Sequence, residues 1–215
     1  MDLSFSLSGH NVQFLPQKAI WIAHISSIFV ADLHFGKAAH FRKSGIPIPE
    51  PIHYHDLNLI QQLLETYNPV DFYILGDAFH SDWNEQWVTL NNFLKQFDTT
   101  TFHLVLGNHD ILNPKFYHDS VFQVYLEPLV IDNIILTHEP MDKIPSGMIN
   151  FCGHIHPGIR LIGKGRQSLR IPCFHLLPSQ LIFPAFGQFT GLSLVKPKPM
   201  DKIFGVCEEK IIEIL

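Results

Sequence analysis

With 215 residues, 46% of them hydrophobic and 16% charged, the chain is long enough for one substantial core and too apolar for intrinsic disorder. A net charge of −5 and a pI of about 6.2 argue against a surface coated in nucleic-acid-binding charge. No apolar run reaches the roughly 18 residues of a membrane helix, no signal pattern opens the chain, and three scattered cysteines without a CxxC pair suggest neither disulfides nor a thiolate zinc site, so we expect one soluble, cytoplasmic domain over residues 1–215.

In chain order, short apolar stretches at 12–15, 19–23 and 27–30 read as opening strands. Asp32-Leu33-His34 follows, then a polar, basic loop to Gly45 and a proline-rich segment at 46–51. Leu57, Ile60, Leu63 and Leu64 at helical spacing predict a helix over 51–67, stopped by Asn68-Pro69. Residues 72–75 are a buried strand. A second helix is expected from a cap at Ser81 or Asp82 to Phe97, its stripe of Trp83, Trp87, Leu90, Phe93, Leu94 and Phe97 being core rather than a ligand platform. Residues 102–106 form the next strand.

Beyond residue 120 the rhythm changes to successive strands at 121–125, 129–131, 134–137, 149–152, 159–162, 169–174, 180–183, 192–195, 203–206 and 211–215. An α/β half followed by a β-rich half without a linker predicts an α/β fold built as a two-sheet sandwich.

Five of the strand ends carry side chains of one kind. Apolar runs lead into Asp32-Leu33-His34, Gly76-Asp77-Ala78-Phe79-His80, Gly107-Asn108-His109-Asp110, His138 and Gly153-His154-Ile155-His156. Such ends gather at one edge of a sheet core and make a site there. In extended backbone, residues two apart point the same way, so Asp32 with His34, and His154 with His156, can each present two donors to one locus. His53 and His55 share that spacing but fall at a helix start, where two residues turn roughly 200°, and we read them as surface or capping residues. Cys152 reads as packing.

Asp32, His34, Asp77, Asn108, His138, His154 and His156 are too many ligands for one zinc ion, which takes about four. They suit two divalent ions about 3.5–4 Å apart with one bridging carboxylate and a shared hydroxide that attacks phosphorus. Mixed oxygen and imidazole donors favour manganese, iron or zinc over calcium or magnesium; manganese is the expectation, with iron or zinc as alternatives. His109 diverges from its ligating neighbour Asn108 and is expected to face substrate, with Asp110 to orient or charge it, as a transition-state stabiliser or general acid. His80 is a second candidate for that region. Of the 15 Lys and Arg, Lys37, Arg42, Lys43, Arg160, Lys164, Arg166 and Arg170 flank the motifs, a basic rim suited to an anionic substrate. Lys37, Arg42 and Arg160 are the expected phosphate contacts.

The ordered set of five motifs resembles the signature of the calcineurin-like metallophosphoesterases. The resemblance implies a two-sheet β sandwich flanked by helices in four layers, with one metal held by Asp32, His34, Asp77 and His156. The other would be held by Asp77, Asn108, His138 and His154, and His109 and His80 would be active-site histidines. Ala31-Asp32-Leu33-His34-Phe35-Gly36-Lys37, His138-Glu139-Pro140, Gly153-His154-Ile155-His156-Pro157, Ile171-Pro172-Cys173-Phe174 and Pro184-Ala185-Phe186-Gly187 are similar to the ligase-associated DNA-damage-response endonuclease (PdeM-type) branch. That branch implies a DNA endonuclease or exonuclease in repair, associated with a DNA ligase. A phosphatase or small-nucleotide phosphodiesterase on the same metals is the alternative, and a non-catalytic scaffold the remote one.

Overall fold

The computed structural model of the chain describes residues 3–37, 52–80, 83–126, 128–163, 165, 167–188 and 190–215, without the side chains of 52–54. The first sheet takes its strands side by side in chain order: β1 (Leu3–Leu7), β2 (His10–Leu15), β3 (Ala19–Ile22), β4 (Ser27–Val30), β5 (Asp71–Leu75), β6 (Thr101–Val105) and β7 (Phe122–Tyr125). Pairing is antiparallel from β1 to β4 and parallel from β4 to β7. The second sheet contains β8 (Leu129–Ile131), β9 (Ile134–Leu136), β10 (Ile149–Cys152), β11 (Pro157–Ile162), β12 (Ser168–Leu177), β13 (Gln180–Ile182) and β14 (Ser193–Leu194), ordered β14-β11-β12-β13-β10-β9-β8. β15 (Lys202–Cys207) pairs with β12 and with β16 (Lys210–Glu213).

Strands buried on both faces carry continuous apolar runs, and the period of two then sorts their side chains between two cores. On β4, Ile28 and Val30 face the core beneath the helices, while Phe29, and Ala31 just past the strand, face the second sheet. On β5, Phe72 and Ile74 divide from Tyr73 and Leu75 in the same way. The core between the sheets is dense in aromatics: Phe14 stands edge-on to Phe174 at 5.0 Å, and Phe29 edge-on to Phe151 at 5.6 Å. Truncating one of these rings to alanine costs about 3–5 kcal/mol. That packing fixes one sheet against the other and so fixes the loops at their shared edge.

Helices α1 (Ile52–Tyr67) and α2 (Glu85–Leu94) cover the outer face of the first sheet through Leu57, Ile60, Leu63, Leu64, Trp87, Leu90 and Leu94. The short α3 (Pro114–His118) joins the same core through Tyr117. The expected two-sheet α/β sandwich is what the chain builds. His55 is exposed on α1, in line with its surface reading.

Local differences from expectation have local causes. Ser81 and Asp82 lie outside the described residues; the cap of α2 is Asn84, whose Oδ1 accepts the Gln86 N–H at 2.9 Å. The helix also ends three residues early, because Gln96 and Phe97 donate to carbonyls three residues back, Phe93 and Leu94, tightening the last turn. β1 was not expected: its Leu-Ser-Phe-Ser-Leu alternation is that of a half-buried edge strand. α3 was missed because five residues are too few for a period, although Asn113 caps it and Pro114 opens it.

Candidate metal centre

β4, β5 and β6 run parallel in the first sheet, and β9 and β10 run parallel in the second. The loops that leave their C-terminal ends bring together all seven expected ligands. His34 Nε2 faces His156 Nε2 at 3.2 Å and lies 3.6 Å from Asp77 Oδ2. His138 Nε2 lies 3.5 Å from the same Asp77 oxygen, 2.9 Å from Asn108 Oδ1 and 3.1 Å from His154 Nδ1. Asp32 Oδ1 is 3.4 Å from His156 Nε2 and 3.8 Å from His138 Nδ1. Asp77 Oδ2 thus stands between two groups of donors, 3.6 Å from His34 Nε2 and 3.5 Å from His138 Nε2.

These spacings fit bound metal better than hydrogen bonding. His138 Nδ1 donates to the Leu75 carbonyl at 3.1 Å, which makes Nε2 an acceptor. It faces the Asn108 carbonyl oxygen, a second acceptor, at 2.9 Å, and two acceptors in contact repel unless a cation lies between them. Donors bonded to one ion at roughly 2.0–2.1 Å sit roughly 3.0–3.4 Å from one another, a spacing that the His34–His156, His138–His154 and Asp32–His156 contacts match. Asp32 Oδ1 is buried with no hydrogen-bond partner, which a neighbouring cation would satisfy. Asp32, His34 and His156 form one potential cation site, and Asp32, Asp77 and His138 another, their ligand atoms within 4.8 Å in each.

The other carboxylate oxygens are held by backbone. Asp77 Oδ1 accepts the His109 N–H at 2.8 Å, and Asp32 Oδ2 accepts the His154 N–H at 2.9 Å. The second contact crosses between the sheets. Aiming these side chains inward strains the chain: Asp32, His34, Asp77, His154 and His156 all have positive φ, between 47° and 66°. Non-glycine residues in that region cost about 1–3 kcal/mol each and gather at functional sites. Gly76 answers a different need, since a Cβ there would lie 2.1 Å from His138 Nδ1. Gly153 likewise leaves room for Asp32, whose Oδ2 would be 2.3 Å from a Cβ. The glycines before Asp77 and His154 are therefore a matter of space as much as of turning.

Burial, with smaller contributions from Lys37 and neighbouring histidines, pushes His34 down to about 2. It is neutral at physiological pH, the form that ligates. His80 and His109 lie beside it, their ring centroids 4.3 Å apart, and His34 Nδ1 is 2.9 Å from His80 Nδ1. Asn108, His109 and His154 are exposed, so the centre is open on that side. Lys37 is depressed by burial, and the Asp77 and Asp32 carboxylates oppose the shift, which sets its charge near the centre. Arg42 lies outside the described residues. Arg160 stands exposed on β11 and donates to Ser168 at 3.2 Å, outside the histidine cluster.

Two residues behave otherwise than their sequence positions suggest. Asp110 does not serve His109: its carboxylate accepts the N–H groups of Gly107, at 2.9 Å, and Phe79, at 3.1 Å, tying two ligand loops together. Burial pushes it up to about 7, against those two hydrogen bonds. Cys152 is buried in β10, with Sγ 3.8 Å from the Leu181 carbonyl, and packs as expected. The segment after β13 has a role that was not foreseen. Phe186 and Gly187 donate to the carbonyls of Ala31 and Asp32, at 2.8 and 3.1 Å, bracing the first motif from behind. Pro184-Ala185-Phe186-Gly187 carries no metal donor, so ligand chemistry could not single it out.

Oxygen and imidazole donors converging at strand ends, with acceptors face to face, make a site of the kind that metal-dependent hydrolases use. The calcineurin-like phosphoesterase family model matches residues 25–179, a span that includes every ligand above, and the chain belongs to that family of metal-dependent phosphoesterases. No curated protein sequence matches it. Among solved structures, the Pseudomonas putida nuclease MPE superposes with a TM-score of 0.80 at 24% identity, covering 100% of both chains. The E. coli phosphoesterase Yfce matches at 13% identity over 86% of this chain and 96% of its own, with a TM-score of 0.46.

Proposed function

We propose that the protein is a dinuclear metal-dependent phosphodiesterase that cleaves nucleic acid, DNA in the first place. The observation that carries this reading is Asp77 Oδ2, 3.6 Å from His34 Nε2 and 3.5 Å from His138 Nε2, between two complete donor sets. Asp32, His34, Asp77 and His156 would hold one ion, and Asp77, Asn108, His138 and His154 the other. When bound, such ions acidify water and neutralise phosphate charge.

The chain's own residues supply the rest. His109 and His80, side by side at the open face, bind the phosphate oxygens. His109 holds the proton that the leaving oxygen needs. Lys37 adds positive charge at the near rim, and Arg42 and Arg160 are proposed for phosphates further along a strand. Trp83, expected in the core stripe of the second helix, instead precedes that helix and stands exposed, because the cap falls at Asn84; stacked with Phe116 at 5.8 Å, it offers a flat face on which a base can stack. The end-to-end likeness to a protein described as a nuclease supports the same choice. Manganese is the ion we expect, and a role in repair beside a DNA ligase follows from the sequence resemblance.

A panel with Mn²⁺ tests the reading: p-nitrophenyl phosphate, bis-p-nitrophenyl phosphate, and single-stranded and nicked duplex DNA. Diester hydrolysis together with DNA cleavage is expected. Diester hydrolysis without DNA cleavage would select a small-nucleotide phosphodiesterase, and a strong preference for the monoester a phosphatase.

A further inference from the structure

A second group of metal-type donors lies at the rim opposite the centre just described. His10 opens β2, His24 sits in the 3-10 turn Ala23–Ile25 that precedes β4, and Asp132 is in the turn between β8 and β9. Extending the β2–β3 register, in which Gln13 faces Trp21, sets His10 opposite His24. β4 and β9 begin at this rim and end at the other, a strand length away, on the order of 15–20 Å. The donor atoms of His10, His24 and Asp132 all lie within 4.8 Å of one another.

The hydrogen bonds around His10 fix which of its nitrogens is free to ligate. Asn133 uses its amide nitrogen on the Ser8 carbonyl, at 2.8 Å, so its Oδ1 turns to His10 and must accept from His10 Nε2. His10 is 6% exposed and therefore held in that tautomer. Its Nδ1 is then an acceptor, facing His24 Nε2 at 2.9 Å. The arrangement is that of a metal-ligating histidine, whose remote N–H donates to a carbonyl and locks the ring. Asp132 supplies the negative charge, exposed and in a left-handed backbone conformation with φ 51°.

We propose that His10 Nδ1, His24 Nε2 and the Asp132 carboxylate form a second, independent site for a borderline divalent ion of the zinc or cobalt type, closed by water. Two imidazoles and one carboxylate select such ions over calcium and magnesium. His10 and His24 belong to the first sheet and Asp132 to the second, so the ion clasps the sandwich at the end remote from catalysis. Its effect is on stability and metal content, and the hydrolytic centre keeps its own ligands.

Co²⁺ titration of the full chain, followed by d–d absorption and by metal content after gel filtration, tests this. His24→Ala and Asp132→Ala alter exposed side chains and should each bind one ion fewer per chain than the parent. Both should keep full hydrolysis of bis-p-nitrophenyl phosphate and lose the part of the Co²⁺-induced rise in Tm that the clasp supplies. Unchanged metal content and an unchanged Tm rise in both variants would overturn the proposal and leave a hydrogen-bonded His10–His24 pair. Because the parent's activity is measured alongside, failure here is distinct from failure of the phosphodiesterase reading.

Discussion

The two sheets contribute unlike halves to the metal centre. Loops of the first sheet bring every oxygen donor, from Asp32, Asp77 and Asn108, along with His34; loops of the second bring imidazole alone, from His138, His154 and His156. The carboxylates thus belong to the first half alone. The halves are joined by Asp32, whose Oδ2 accepts the His154 N–H, and by His138, whose Nδ1 donates to the Leu75 carbonyl. In the proposed assignment neither sheet owns a metal site: each donor set draws on both sheets, so the centre would report on their packing.

The substitution expected to do most is Asp77→Asn, which puts a neutral amide where both sets share an oxygen. Metal affinity should fall by more than the roughly 10–100-fold that removal of an outer-shell partner costs, and metal content would show both ions affected. Loss of one ion alone would break the picture of a shared carboxylate. His109→Ala comes next. It should retain its metal while kcat falls about 10²–10⁴-fold, as for a general acid; metal loss would mean that His109 is a ligand. Gly76→Ala tests the join between the halves, since its Cβ would meet His138 Nδ1 at 2.1 Å, at a φ of +78°. A stability loss of about 1–3 kcal/mol is expected from urea unfolding, and an unchanged midpoint would contradict it.

Two smaller effects sharpen the same contrast. The native state holds His34 far below its ordinary 6.5, at about 2, so the unfolded chain takes up a proton that the folded one refuses. Stability of the metal-free protein should therefore fall as pH drops from about 6.5 towards about 2, and His34→Gln should flatten that part of a Tm-against-pH profile. Smallest of all, Trp83→Ala should raise KM for DNA several-fold by removing a stacking face worth about 1–3 kcal/mol per base, with KM for bis-p-nitrophenyl phosphate unmoved.

Much of this was legible in the sequence, for identifiable reasons. The parallel strands are buried on both faces, so they read as unbroken apolar runs, and the candidate ligands follow within a few residues. Asp32, Asp77 and His138 could be picked out that way because polar side chains directly after such runs have few other uses. Asp110 was misjudged because sequence proximity to His109 says nothing about direction, and its carboxylate turns back to the Gly107 and Phe79 amides. The brace from Phe186 and Gly187 acts through backbone alone. The His10–His24–Asp132 group joins residues more than a hundred positions apart across two sheets, a proximity that only the packed sandwich creates.

The central claim is that the two unlike halves form two ion sites with Asp77 between them. Anomalous diffraction at the manganese edge from crystals grown with Mn²⁺ tests it most directly. The account predicts two peaks at the centre, one beside His34 and His156 and one beside His138 and His154, with Asp77 Oδ2 in contact with both. A single peak there, or two peaks without Asp77 between them, would contradict it.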